Sequence, residues 1–152
     1  MLKQKPGRIL GIDFGLARLG IALSDESKLI ASPFSTFKAE KKTEQTIAKF
    51  LDWCQQIQTS QSFEIQEIVI GLPLMMSGKK GFLADEVQHF VALLKQATSI
   101  PIYTWDERLT TVQAERSLRE SSLTRKKRTQ FVDQVSAAII LQNYLDSKHF
   151  LL

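Results

Sequence analysis

The fold is decided by residues 8–24, which read RILGIDFGLARLGIALS. Two apolar runs, 8–14 and 20–24, flank the turn-like segment GLAR at 15–18, and this pattern is typical of two strands joined by a turn. We therefore predict an antiparallel hairpin. A third strand is expected between Leu29 and Phe37, where Pro33 would confine it to a sheet edge or split it.

The remaining sequence alternates between helical and strand patterns. Apolar residues recur three and four positions apart in the predicted helices, whereas IQEIVIGL is a nearly continuous apolar run of the kind found in interior strands. A strand, a helix and a further strand in this order imply a parallel crossover. We predict helices from Thr43 to the polar residues 58–61 and at 82–97, 109–119 and 131–145, strands at 65–72 and 100–105, a loop at 74–81 and a basic stretch at 120–130. The expected class is α/β with a mixed sheet.

Composition limits the possible protein classes. With 152 residues, 43% hydrophobic and 24% charged, the chain is expected to form one domain over residues 1–152, and disordered, collagen-like and repeat classes are excluded. A net charge of +4 favours a polyanionic partner. The lone Cys54 cannot form an internal disulfide, and no apolar stretch approaches membrane-spanning length. We expect a cytoplasmic protein that does not insert into membranes.

Carboxylates lie at two strand ends. Asp13 interrupts an apolar strand, where a desolvated carboxylate needs a partner or a metal; alternatively, it forms a turn with Gly15. Asp106 and Glu107 directly follow a predicted strand, at the end of an open α/β sheet where ligands collect. The alternative is that Asp106 or Thr110 caps the next helix and Glu107 interacts favourably with its dipole.

A third acid lies on the last predicted helix. Asp133 shares a stripe with the apolar residues four, seven and eleven positions later, so it faces the body of the protein. A first-turn Asp that stabilises the helix dipole is the alternative. If the fold gathers Asp13, Glu107 and Asp133, their oxygens would bind one or two Mg²⁺ or Mn²⁺ ions. Two ions would suit an in-line phosphoryl displacement, in which one activates water and the other stabilises the leaving oxygen.

Four motifs resemble the YqgF family, small bacterial proteins described as Holliday junction resolvase-like or as pre-16S rRNA nucleases. They are LGIDFG at 10–15, GLPL at 71–74 with Gly78, DERLTT at 106–111, and Val132-Asp133 followed by AAIILQ at 137–142. The resemblance implies a ribonuclease H-like fold, a five-stranded mixed sheet flanked by helices, in which Asp13, Glu107 and Asp133 are the catalytic, metal-binding acids and Asp133 opens the last helix. One departure is MMSG at 75–78, where many members have N-M-D-G.

Basic residues are candidates for holding a nucleic-acid backbone. The run Arg125, Lys126, Lys127 and Arg128 precedes the helix that carries Asp133, and it could bind phosphates or be a solvated face. Arg18 and Arg108 come from loops near strand ends and are further candidates.

The leading hypothesis is a metal-dependent nuclease acting on structured nucleic acid. The resemblance favours 5′-end processing of pre-16S rRNA in ribosome biogenesis, with ribosomal particles as partners, and its alternative is resolution of branched DNA at Holliday junctions. A non-catalytic nucleic-acid-binding module is a hypothesis of another class. Asp13-Phe14-Gly15 also resembles the phosphate-binding turn of actin and sugar kinases, but this chain is long enough for only one of their two lobes. We expect a monomer or a homodimer.

Overall fold

The computed structural model describes residues 4–73, 81–107 and 125–150, with the backbone alone for 125–130 and 150. In chain order the elements are β1 (Gly7–Phe14), β2 (Arg18–Ser24), β3 (Ala31–Lys38), α1 (Thr43–Gln61), β4 (Glu64–Leu72), α2 (Phe82–Ala97), β5 (Ile102–Asp106) and α3 (Arg125–Phe150). The predicted helix at 109–119 and all of the loop at 74–81 except Gly81 lie outside the described residues. None of the described helices is long and apolar enough to cross a membrane.

The five strands form one mixed sheet in the order β3-β2-β1-β4-β5. β1 pairs antiparallel with β2, as does β2 with β3, whereas β1–β4 and β4–β5 are parallel. The predicted α/β class, hairpin and crossover are therefore confirmed. Pro33 lies on the edge strand β3, beside a register shift in its pairing with β2, where its missing N–H costs no ladder bond.

Alternate residues of β1 serve two hydrophobic layers. Leu10 and Ile12 belong to the layer formed with α1 and α2, whereas Ile9 packs in the layer formed with α3. β4 divides in the same way, with Ile70 on the first side and Val69 on the second. Interior strands covered by helices on both faces read as continuous apolar runs, which explains the IQEIVIGL stretch.

Several element boundaries differ from the predictions. β2 begins at Arg18, which was predicted to lie in the turn at 15–18, and β3 spans Ala31–Lys38 rather than 29–37. The last helix begins at Arg125 rather than at 131 and ends at Phe150, so the basic run is the first turn of α3 and not a stretch before it. Lys and Arg are good helix formers, so a helical turn can form there without an apolar stripe. β5 begins at Ile102 rather than at Ile100, because Pro101 has no N–H to donate, and it includes Asp106.

Candidate active site

Asp13 lies near the end of the central strand, between two glycines on the neighbouring strands. Its cross-strand partner on β2 is Gly20. On the other side, the parallel register pairs Ile12 with Ile70, so the next residue of β4, Gly71, lies beside Asp13. The sheet therefore has a small residue on each side of a half-buried carboxylate.

Those two glycines leave space for the other two acids. A Cβ added at Gly20 would lie 2.0 Å from the backbone oxygen of Asp133, and one added at Gly71 would lie 2.2 Å from Oε2 of Glu107. α3 thus approaches the sheet at Gly20, and the Glu107 carboxylate lies over Gly71. Neither glycine was predicted to be part of the site, although a glycine inside a strand pattern can indicate close approach of another group.

The end of β5 positions Glu107. Asp106 pairs with Leu72 at the ends of their strands, and the Glu107 N–H donates to the Leu72 carbonyl at 3.3 Å. This bond continues the parallel register by one residue. It holds Glu107 at the same sheet end as Asp13.

Asp133 lies eight residues after the first residue of α3. The prediction that it opens the last helix is therefore wrong, and so is the alternative of a first-turn Asp, since dipole effects are confined to the terminal turns. The predicted stripe is confirmed, because Ala137, Ile140 and Tyr144 are all buried against the sheet. The stripe directs Asp133, whose side chain is 24% exposed, toward the other acids.

Burial, and repulsion from neighbouring carboxylates, raise the pKa of two of the acids. The pKa of Asp13 rises to about 8, mainly through desolvation and further through the charges of Glu107 and Asp133. The pKa of Glu107 rises to about 7, mainly through desolvation and then through Asp106. Both effects penalise the charged form of a carboxylic acid. Shifted carboxylates close to one another are typical of functional sites.

Arg18, the first residue of β2, forms an ion pair with Asp133. Its Nε donates to Oδ2 of Asp133 at 2.8 Å, and the Arg18 side chain is 37% exposed. The predicted nucleic-acid contact thus lies beside the acids. The helix residue after Asp133 is also engaged with the sheet, because Nε2 of Gln134 donates to Oγ1 of Thr36 at 2.9 Å.

The other predicted basic residues are only partly located. The first turn of α3 consists of Arg125, Lys126, Lys127 and Arg128. At a rise of 1.5 Å per residue, their backbone lies roughly 8–12 Å from that of Asp133 along the helix axis. The structure describes their backbone positions. Arg108, Thr110 and the MMSG segment lie outside the described residues.

Comparison with known proteins identifies the family. The model of the family "RuvX: Holliday junction resolvase" matches residues 7–147. A protein of Protochlamydia amoebophila named "Putative pre-16S rRNA nuclease" is 67% identical over 96% of this chain and 97% of its own length. A protein of the same name from Clostridium acetobutylicum is 43% identical over 92% of this chain and 98% of its own.

Solved structures show the same fold at low sequence identity. T. thermophilus RuvC, solved in complex with a Holliday junction substrate, has a TM-score of 0.54 at 12% identity, covering 93% of this chain and 95% of its own. The fowlpox virus Holliday junction resolvase has a TM-score of 0.52 at 11% identity, covering 93% and 99%. The ribonuclease H-like fold is confirmed by these likenesses. Because the family model and the relatives span nearly the whole sequence, this chain belongs to the RuvX (YqgF) family of nucleases.

Proposed function

We propose that this protein is a divalent-metal-dependent nuclease that processes the 5′ end of pre-16S rRNA. The observation that carries the proposal is the convergence of Asp13, Glu107 and Asp133, from β1, the end of β5 and α3, at one end of the sheet, with the pKa values of the first two raised. The names of the relatives support the rRNA substrate. The family description supports branched DNA as the alternative substrate.

Asp13, Glu107 and Asp133 are the residues that would hold Mg²⁺ or Mn²⁺. Their donor atoms are carboxylate oxygens, which such hard cations prefer. The pKa of Asp13 is raised by burial and, in addition, by repulsion from Glu107 and Asp133, and a cation would relieve that repulsion. A pair of bound ions, which we favour, would neutralise charge at the scissile phosphate and make water a better nucleophile. The residue types and their electrostatics therefore fit the metal.

The side chains are not arranged as a finished metal site. Within residues 4–73, 81–107 and 131–149, no group of three or more His, Cys, Asp and Glu side chains is close enough to hold an ion, and Arg18 already binds Asp133. We infer that metal binding requires side-chain rotation and release of Asp133 by Arg18. Arg18 is then available for a phosphate, because a guanidinium binds phosphate well.

We also propose which basic residues contact the substrate. Arg18, Arg108 and the run Arg125, Lys126, Lys127 and Arg128 would hold the nucleic-acid backbone by charge, which positions a substrate without reading its sequence. We also propose that residues 1–152 act as one domain, as a monomer or homodimer, on ribosomal particles in the cytoplasm. Packing of α3 against β1 and β2, far apart from it in sequence, supports one domain.

A cleavage assay tests the proposal. Labelled 5′ fragments of pre-16S rRNA and a four-way DNA junction are offered side by side with Mg²⁺ or Mn²⁺ to wild type, Asp13→Asn and Asp133→Asn. Asp52→Asn is the matched control, because Asp52 is an exposed acid on α1. We expect wild type and the control to cut the RNA, and the two site variants to bind it without cutting.

The other outcomes separate the alternatives. Paired symmetric cuts in the junction with intact RNA would replace the rRNA proposal by the resolvase alternative. Full cleavage by Asp13→Asn and Asp133→Asn would contradict the assigned site. Tight binding with no cleavage of either substrate, also when ribosomal particles are added, would favour the binding module.

A further inference from the structure

A cavity of about 520 Å³ opens beside the acids, between the β2–β3 edge and α3. The described residues that line it are Ala17, Arg18, Thr36, Lys38 and Gln134; we call it the edge pocket. Its volume is in the range of small-molecule sites, large enough for a phosphate group with part of its sugar. Neither the motifs of the sequence nor the comparisons assign it a role.

The lining of the edge pocket is cationic. Arg18 and Lys38 are direct cross-strand partners on β2 and β3, and like charges opposite one another are destabilising. Asp133 offsets the charge of Arg18 from the side of the acids. No carboxylate is among the described residues that line the pocket. The nearby acid Glu40 forms an ion pair with Lys49 and also interacts electrostatically with Lys38, so the four side chains Arg18, Lys38, Lys49 and Glu40 keep an excess of positive charge. This surface therefore suits an anion.

Neutral polar groups complete the floor of the edge pocket. The bond from Gln134 to Thr36 joins α3 to β3 at 2.9 Å and fixes the distance between the two walls. Amide and hydroxyl groups of this kind commonly contact phosphate oxygens in nucleic-acid complexes. The pocket therefore combines two cationic side chains with a hydrogen-bonded pair of neutral polar groups, unlike a surface with scattered lysines.

The edge pocket is continuous with the acid site. Arg18 lines the pocket and also binds Asp133 through Nε, and Gln134 follows Asp133 on α3. Only one of the five N–H donors of a guanidinium is used in that bond. A nucleic-acid strand with one phosphate at the acids would therefore bring a neighbouring phosphate to the pocket.

We propose that the edge pocket binds a non-scissile phosphodiester of the nucleic-acid strand, beside the phosphate that is cleaved. The inference rests on the proposed nuclease function, since that function identifies the anion as a nucleic-acid backbone. Lys38 supplies charge to this phosphate, Arg18 bridges the pocket to the acids, and Gln134 and Thr36 hold the walls. The subsite thereby sets the register of the strand.

The test is nucleic-acid binding without cleavage. The probe is a fluorescein-labelled RNA hairpin with a 5′ single-stranded extension, bound to Asp13→Asn protein without divalent ions over a series of KCl concentrations. Lys38→Ala should weaken binding about fivefold and reduce the slope of log Kd against log salt by about one phosphate contact. Lys95→Ala, which removes an exposed charge at the far end of α2, should leave Kd and slope unchanged.

A chemical version of the same test identifies the ligand. Neutral methylphosphonate linkages are introduced one at a time along the 5′ extension. At one linkage Lys38→Ala should no longer weaken binding, because the phosphate charge that Lys38 contacts is already absent. A double-mutant cycle of the protein substitution and the linkage substitution measures this coupling. An equal Lys38→Ala effect at every linkage would overturn the proposal. Equal losses of affinity in Lys38→Ala and Lys95→Ala would overturn it too. So would a Lys38-dependent affinity for inorganic phosphate as high as that for the RNA.

Failure of the subsite and failure of the nuclease function give different results. If Lys38-dependent binding is present but wild type cleaves nothing, the pocket is a backbone site and the nuclease proposal fails. If wild type cleaves RNA while Lys38→Ala leaves Kd and the salt slope unchanged, the nuclease proposal holds and the proposed phosphate subsite in the edge pocket is wrong. Thermal unfolding of Lys38→Ala should match the parent, since Lys38 is exposed on an edge strand.

Discussion

Nε of Arg18 donates a 2.8 Å hydrogen bond to Oδ2 of Asp133, joining the first residue of β2 to the third turn of α3. The pair neutralises one acid of the site, while the pKa of Asp13 and that of Glu107 stay raised. The guanidinium therefore competes with any cation for Asp133. Metal binding and the Arg18 ion pair should be linked.

Arg18→Ala should bind Mn²⁺ severalfold more tightly than wild type in the absence of nucleic acid, because Asp133 no longer has a competing cation. Its stability should fall by no more than ~1 kcal/mol, since the pair is partly exposed. Isothermal titration with Mn²⁺ and urea unfolding measure these effects. Lys49→Ala is the control, because it breaks an exposed ion pair with Glu40 outside the site. Mn²⁺ affinity equal to that of wild type would contradict the competition.

The two glycines beside Asp13 should respond differently to alanine. In Gly20→Ala the new Cβ meets the backbone of Asp133 at 2.0 Å, and a backbone group of a packed helix cannot move aside cheaply. We expect a loss of at least ~2 kcal/mol in the free energy of unfolding, at the level of overpacked cores. Urea unfolding of the metal-free protein measures it. A variant as stable as wild type would contradict the close approach of α3.

Gly71→Ala should lose activity more than stability. Its Cβ would meet Oε2 of Glu107 at 2.2 Å and Cδ1 of Ile140 at 2.6 Å, and both are ends of flexible side chains. The carboxylate then moves away from Asp13, so RNA cleavage should fall at least about tenfold, a scale expected when a catalytic group is misplaced. Stability should change less than in Gly20→Ala. Full cleavage with a displaced Glu107 would argue against its catalytic role.

Asp13 should make the metal-free protein less stable as pH rises. Its folded pKa of about 8 lies above 3.8, the ordinary value for an aspartic acid, so the folded state binds more protons than the unfolded state between these pH values and loses stability as the protons leave. The Tm of Asp13→Asn relative to that of wild type should therefore increase between about pH 5 and about pH 8. Mg²⁺ at the higher pH should raise the Tm of wild type and leave that of the variant unchanged. A Tm difference independent of pH would refute this linkage, and Asp52→Asn provides the control.

The basic first turn of α3 should contribute to binding through charge alone. Replacing Lys126, Lys127 and Arg128 together by Gln should weaken binding to RNA of any sequence and reduce the salt slope, by up to about three contacts. Helix content should stay the same, since Gln is also a good helix former. Anisotropy titrations at several salt concentrations and circular dichroism measure the two effects. Unchanged affinity would remove this turn from the substrate-binding surface.

Local pattern was sufficient for most of the fold. Alternation and apolar runs predicted the hairpin, the interior strand β4 and the edge position of Pro33, because side-chain period and the missing proline N–H act within a few residues. The helix at 82–97 was predicted with its observed bounds. The start of α3 was not, since its first turn carries charges instead of an apolar stripe and its helical state depends on propensity alone.

The site was predictable in its residue types and not in its arrangement. Asp13 was identified by an acid inside an apolar strand, and Glu107 by its place after a strand end. The contact of Arg18 with Asp133 spans 115 residues, and no local period encodes a pairing at that distance. The raised pKa values likewise depend on burial and on charges from other segments of the chain.

The sequence by itself determined the strands, most of the helices, the α/β class and three candidate acids, because steric and periodic constraints act between near neighbours. Only the tertiary structure decided that α3 crosses β2 at Gly20, that Glu107 lies over Gly71, and that Arg18 neutralises Asp133. These relationships arise when distant segments share one packed volume. Packing sets which charges meet and how much water they lose, and those two quantities determine the electrostatics of the site.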